Sequence, residues 1–360
     1  MKSPSAWARF SRHAGLFAAS ILLASGLAFS QAEKPELHGT VERIQVHGKS
    51  LEGNLEGDPA ERYVSVYLPP SYKKDRHRRY PVVYLLHGYM DYDDDWFGAK
   101  HVFVDATKAI DAAFAAGARE MIVVMPNAYT IYYGSMYSNS VTTGDWEDYV
   151  AHDLVSYIDA HYRTIPDRMS RGLGGHSMGG YGTIRLAMKH PEVFSSIYWL
   201  SACCLAPVSR ESEGEAMVSA ETVKSAADLA KANFGERVMI AQAAAWSPNP
   251  ANPPLFFDLP WKNGKLQPQI AAKWDANAPL AMLDQYVPSL KQLHAIGGDV
   301  GTRDGLMASN EELDRMLTAY GIAHSFETYD GTHISGIQDR LEKKVIPFFA
   351  NNLSFGRSGH

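Results

Sequence analysis

One serine stands in a setting that could make it a nucleophile. Residues 171–182 read RGLGGHSMGGYG, and within them Gly175-His176-Ser177-Met178-Gly179 forms a G-x-S-x-G pentapeptide. It falls where a buried-strand pattern gives out and a helical pattern begins, the context that makes the motif informative. A side chain presented on so sharp a bend takes a strained backbone, and the residues two before and two after it nearly collide, so both must be glycine. The helix starting at Met178 also turns its free N–H groups and positive dipole end toward the serine, which favours negative charge there.

A serine hydroxyl needs a base to take its proton and an acid to orient that base. In a parallel α/β sheet, functional groups gather beyond the carboxyl ends of the strands, so both partners are sought in later loops. LHAIGGDVGTRDGL (293–306) offers Asp299 and Asp304, and FETYDGTHISG (326–336) offers His333 in a loop flanked by Gly331 and Gly336. The order serine, aspartate, histidine is the one a nucleophile elbow uses. Of the fourteen histidines, His324 begins a strand at the wrong end of the sheet, His190 precedes a proline at a helix end, and His152 and His161 fall on a helix. His333 is therefore taken as the base. Asp304 is preferred to Asp299 as the acid because it lies deeper in the loop, with Asp330 a third choice. The oxyanion donors are expected to be the N–H of Met178 and that of Tyr89, which follows the turn at Gly88.

No metal or other cofactor is expected. The aspartates of DYDDDW (91–96) lack the spaced ligands and closing glutamate of a calcium loop and read as a solvated turn. No spaced Cys/His cluster suggests zinc. Cys203 and Cys204 are adjacent, and the reading leaves open a vicinal disulfide or two buried thiols ending a strand near the pocket floor.

These residues need an alternating scaffold to bring them together. GTVERIQVHG and ERYVSVYLPPSY alternate as two antiparallel, half-exposed strands would. YPVVYLLHG, EMIVVMPN, SRGLGGHS, SSIYWLSACC and LHAIGGDVG are continuous apolar runs, as strands buried on both faces must be. Amphipathic segments at 102–116, from Asp145, at 178–190 and from Asn310 separate them, and a strand HSFETYD and a helix at about 336–352 close the chain. The predicted class is α/β, a mostly parallel central sheet with helices on both faces. Residues 205–289, proline-rich and without a buried-strand pattern, are an excursion from that rhythm, a lid or a substrate wall.

The 360 residues are 46% hydrophobic and 21% charged with a formal net charge of −6, which gives a globular chain no electrostatic reason to seek nucleic acid. Lys2, Arg9 and Arg12 precede the uncharged run AGLFAASILLASGLAFSQA, so residues 1–32 read as a cleaved secretory signal and 33–360 as a single domain. A secreted or periplasmic location, with no stable membrane insertion after cleavage, is the expectation. Oligomeric state is not legible.

YLPPSY, YPVVYLLHGYMDYDDDW, YGSMYSNSVTTGDWEDY, RGLGGHSMGGYGTIRLAMKHPEVF, VGTRDGL and GTHISG together resemble the putative esterase family of the α/β-hydrolase superfamily. That family includes esterase D and S-formylglutathione hydrolases, feruloyl esterases, siderophore esterases and mycolyltransferases. The likeness covers nearly all of residues 40–350. It implies an α/β-hydrolase fold and an acyl-serine mechanism, with Ser177, Asp304 and His333 on the triad positions and Tyr89 and Met178 on the oxyanion positions. The leading expectation is a secreted serine carboxylic ester hydrolase acting on a small-molecule or carbohydrate-linked ester, feruloyl esters among them. An acyltransferase and a non-catalytic binding protein on the same scaffold are the alternatives. Trp96 and Trp146 are the expected substrate contacts, with Phe97, Tyr132, Tyr133, Tyr137, Trp246, Phe256, Phe257 and Trp261 also on the probable rim.

Overall fold

The alternating segments TVERIQVH and ERYVSVYL pair antiparallel as β1 (Thr40–His47) and β2 (Glu61–Leu68), in register from Thr40 opposite Leu68 to His47 opposite Glu61. The structure, a computed structural model, describes residues 38–97, 103–208 and 219–356, so the signal-peptide reading of residues 1–32 lies outside it. Beyond β2 the sheet continues through the apolar runs β3 (Val82–Leu86), β4 (Ile122–Pro126), β5 (Arg171–His176), β6 (Ser196–Leu200), β7 (Ala295–Gly301) and β8 (Ser325–Tyr329). The spatial order is β1-β2-β4-β3-β5-β6-β7-β8, with β2 antiparallel to β4 and every later pairing parallel. The residues of β3, β4 and β6 are all buried, as strands covered on both faces require.

Two apolar clusters sandwich the sheet. One face packs on α1 (Ala106–Ala115) and the C-terminal helix, through Ile110, Leu341 and Phe349; the other packs on α2 (Met178–Lys189) and the helices of the excursion, through Ile184, Ile240 and Leu283. Helix α2 follows β5 without an intervening loop, and its residues Met178 to Met188 are all buried. Ser177, the one residue between strand and helix, is thereby fixed between two largely buried elements.

The excursion between β6 and β7 contains α3 (Phe234–Trp246), α4 (Pro268–Asp275) and α5 (Pro279–Leu290), with a two-strand turn at Trp261–Lys262 and Lys265–Leu266. Asn233 caps α3 by accepting the Glu236 N–H, and the Glu236 side chain returns the bond to the Asn233 N–H. The helix α6 (Met307–Ala319) then links β7 to β8.

Candidate active site

Ser177 has φ +57° and ψ −113°, a conformation that side chains rarely adopt. Its backbone is tied on both sides: the N–H donates to Leu200 O at 3.0 Å, and its carbonyl accepts from Tyr181 N–H at 3.0 Å and Cys203 N–H at 3.1 Å. The two motif glycines are sterically forced. A Cβ on Gly175 would lie 2.4 Å from the Gly179 carbonyl oxygen, and one on Gly179 would lie 2.0 Å from that of Leu86. Gly179→Ala should therefore cost about 2–3 kcal/mol by overpacking against backbone that cannot step aside. Gly305, whose Cβ would meet nothing within 4 Å, supplies the control substitution for thermal unfolding, with no comparable loss expected there.

The loops after β7 and β8 complete the arrangement. Asp304 Oδ2 lies 2.8 Å from His333 Nδ1, and His333 Nε2 lies 2.9 Å from Ser177 Oγ. An ionised carboxylate only accepts, so Nδ1 carries the proton and Nε2 presents its lone pair to the serine O–H. Burial alone would push the Asp304 carboxyl up, but the hydrogen bonds from His333 and the Leu306 N–H more than offset it and hold it below the usual range. The two loops are tied by Thr302 N–H to Tyr329 O and Arg303 N–H to Gly331 O, both 2.8 Å. Asp299 stays inside β7, fully buried, where its carboxylate accepts from Arg340 Nε and Tyr198 O–H at 2.8 Å each. Asp330 pairs with Arg303 at the surface, and His324 bonds Asp314 and Ile322 O.

Two histidines to which the sequence reading assigned no positioning role orient this site through backbone groups. His176 Nε2 donates to the His333 carbonyl at 2.8 Å, and its ring sits 4.8 Å from that of His333, measured between centroids. Burial, helped by the nearby His333, pushes the His176 imidazole down to about 3. Between that value and its ordinary 6.5 the unfolded chain binds a proton that the folded chain refuses, so stability falls as pH drops through this window. The melting temperature should consequently fall more steeply from pH 7 to pH 4 in the parent than in His176→Gln, by at least about 5 °C. Equal slopes would show that His176 carries no such penalty.

His87 acts on the oxyanion loop. Its Nε2 accepts the Ala128 N–H at 2.8 Å, so Nδ1 holds the proton and donates to the Gly88 carbonyl, also at 2.8 Å. That carbonyl shares a planar trans peptide with the Tyr89 N–H, which must point the opposite way. Met178, at the first position of its helix, likewise has an N–H with no partner inside the helix. The two loops meet beside it: a Cβ on Gly134 would lie 2.7 Å from both the Met178 sulfur and the Tyr89 ring.

The expected substrate contacts are corrected. Trp96 and Trp146 are buried, their indole N–H groups donating to Asp91 and to Thr143 O, because each fills a core cluster rather than the rim. Phe97, Tyr132, Tyr137, Trp246, Phe257 and Trp261 are buried as well. The solvated turn expected at DYDDDW is also overturned: Asp93 is fully buried, held by Arg43 at 2.9 Å and by the Ser65 hydroxyl at 2.8 Å, and residues 93–97 form a helical turn. What borders the oxyanion loop is the start of α3. Phe234, 65% exposed, meets the Tyr89 ring edge-on at 5.9 Å, and Arg237 lies over the Tyr133 ring at 4.9 Å. The sequence analysis missed Phe234; the Asn233/Glu236 capping pair is the signal that would place it at a helix start. Cys203 and Cys204 are free and half-buried, with Cys204 Sγ accepting from the Gln242 amide at 3.1 Å.

A protein-family model described as "Putative esterase" matches residues 59–336. The chain belongs to this esterase family. It is 30% identical over 168 residues to an endo-1,4-beta-xylanase/feruloyl esterase of Xylanibacter ruminicola, covering 45% of this chain and 21% of that protein. It is 31% identical over 138 residues to Esterase Rv1288 of Mycobacterium tuberculosis, covering 37% and 27%. The chain thus spans about a quarter of the length of these curated relatives. A solved ferulic acid esterase superimposes with a TM-score of 0.61 at 22% identity, over 88% of this chain and 100% of that one, which establishes the shared α/β-hydrolase fold. Among the described residues, no helix is long and apolar enough to cross a membrane.

Proposed function

We propose that this member of the esterase family is an exported serine carboxylic ester hydrolase that cleaves feruloyl or other carbohydrate-linked esters through an acyl-serine intermediate. The observation that carries the reading is the unbroken line from Asp304 through His333 to the Ser177 hydroxyl, with contacts of 2.8 and 2.9 Å, at a strand-to-helix bend.

His333 Nε2 takes the Ser177 proton as Oγ attacks the ester carbonyl, and the Tyr89 and Met178 N–H groups hold the oxyanion that forms. The protonated His333, stabilised by Asp304, passes the proton to the leaving alcohol. Water, deprotonated by the same imidazole, then releases the acid. His176 and His87 act as positioning residues. They fix the His333 backbone and the Gly88–Tyr89 peptide in the orientations these steps need.

The choice of ester is supported by the similarity to feruloyl esterases and by the aromatic border of Tyr89, Tyr133 and Phe234, which offers flat surfaces to an aryl group. Export is supported by Lys2, Arg9 and Arg12 ahead of the apolar run. The test is initial-rate comparison on methyl ferulate, feruloylated arabinoxylan and acetylated xylan, with products resolved in water and with added sugar acceptor. Preference for a feruloyl ester with free acid as product agrees with the proposal. Preference for transfer to the sugar, or no turnover of any of the three, contradicts it.

A further inference from the structure

The excursion carries a second, half-open space. Among the described residues, this cavity of about 760 Å³ is lined by those of the excursion alone, and none of Ser177, Asp304 or His333 contributes to it. Its size falls within the range of about 300–1,000 Å³ that small-ligand sites occupy. Leu255, Phe257 and Ile270 supply apolar wall, while Lys224 and Lys262 supply charge.

The charges in this wall are unevenly committed. Glu221 accepts the backbone N–H groups of Asn263 at 2.6 Å and Gly264 at 3.2 Å. Asp258 accepts the side-chain amides of Asn249 at 2.8 Å and Asn252 at 3.3 Å. Both acids are thus engaged in holding turns. Neither lysine ammonium has a hydrogen-bond or ion-pair partner among the described residues, and Trp261, only 2% exposed and part of the wall, has an indole N–H with no acceptor. That N–H is closed off from the cavity, so what the wall offers a ligand is its apolar surface and the two exposed ammonium groups.

We propose that this cavity is a binding site for an organic carboxylate with an apolar body, separate from the ester-cleaving centre. The carboxylate is drawn by Lys224 and Lys262, and the apolar face lies against Leu255, Phe257 and Ile270. A small inorganic anion would leave that apolar wall unused. Two sources share this chemistry, the uronosyl units of an acidic oligosaccharide and a free aryl carboxylate.

Titration calorimetry on the full chain with trigalacturonate, ferulate, xylotriose and inorganic phosphate tests the assignment. At least one of the two carboxylates should bind at one site per chain with Kd below about 5 mM, and about a tenfold rise in NaCl should weaken it. Trigalacturonate as the tighter ligand identifies the acidic saccharide, and ferulate the aryl acid. Lys224→Gln/Lys262→Gln should lose at least about tenfold in affinity, with hydrolysis of p-nitrophenyl acetate within about twofold of the parent. Equal binding of xylotriose or phosphate, full affinity in the active double variant, or neither carboxylate binding below about 5 mM overturns the proposal.

Discussion

Ser177→Ala should lower kcat/KM for p-nitrophenyl acetate by about 10⁴-fold or more, with the melting temperature within about 2 °C of the parent. The first expectation follows from chemistry: alanine leaves no atom to form the acyl bond, and what remains is the stabilisation that the Tyr89 and Met178 N–H groups offer to attack by water. The second follows from where the stress at this bend resides. The positive φ is borne by the backbone, held by Leu200 O, Tyr181 N–H and Cys203 N–H, none of which involves the hydroxyl. Alanine at the same φ is no more crowded than serine. A variant that kept near-parental turnover would remove Ser177 from the mechanism, whereas one that unfolded would show that the hydroxyl itself secures the bend.

Asp304→Asn and Asp299→Asn should tell the catalytic acid from the structural one. The Asp304 carboxylate fixes the His333 tautomer by accepting from Nδ1; an amide can donate there instead and turn the proton-bearing nitrogen toward the serine. Activity is expected to fall by about 10³- to 10⁴-fold, with little change in melting temperature. Asp299 faces the opposite balance. Burial pushes its carboxyl up to about 6 despite the Arg340 charge and the hydrogen bonds from Tyr198 and Arg340. Neutralising it costs Arg340 one of its two acids but also removes the burial penalty on the carboxylate, so stability is expected to change by no more than about 1 kcal/mol, with little loss of kcat. Kinetics and thermal unfolding on the two variants read this directly, and an exchange of the two phenotypes would assign the acid to Asp299. The sign with pH is also opposite to that of His176. A folded value near 6 lies above the ordinary 3.8, so Asp299 weakens the fold as pH rises through that interval, whereas the His176 penalty deepens as pH falls.

The parallel strands were legible because burial on both faces leaves continuous apolar runs, and β3, β4 and β6 lie within their predicted segments, shorter by one to a few residues at each end. Ser177 was legible because glycine at positions 175 and 179 has a steric cause independent of the rest of the chain. His333 and Asp304 could be found from the order of loops, since sheet topology brings the ends of β7 and β8 together. The substrate wall could not. Trp96 and Trp146 have the same aromatic chemistry as Tyr89 and Phe234, and only three-dimensional packing decides which rings fill the core. Asp93 misled for a related reason: a carboxylate run looks solvated until Arg43 arrives from β1, fifty residues away in sequence. The positioning roles of His176 and His87 were not legible because their partners are backbone groups, the His333 and Gly88 carbonyls and the Ala128 N–H, which leave no mark on composition or spacing.

The central claim is that Ser177 becomes covalently acylated. The most direct measurement is intact-mass analysis after reaction with a fluorophosphonate, followed by peptide mapping of the adduct in the parent and in Ser177→Ala. A single adduct on Ser177 that forms in step with loss of esterase activity, and is absent from the variant, is the predicted result. Complete inactivation with the adduct on another residue, or full activity after stoichiometric labelling of Ser177, would contradict it.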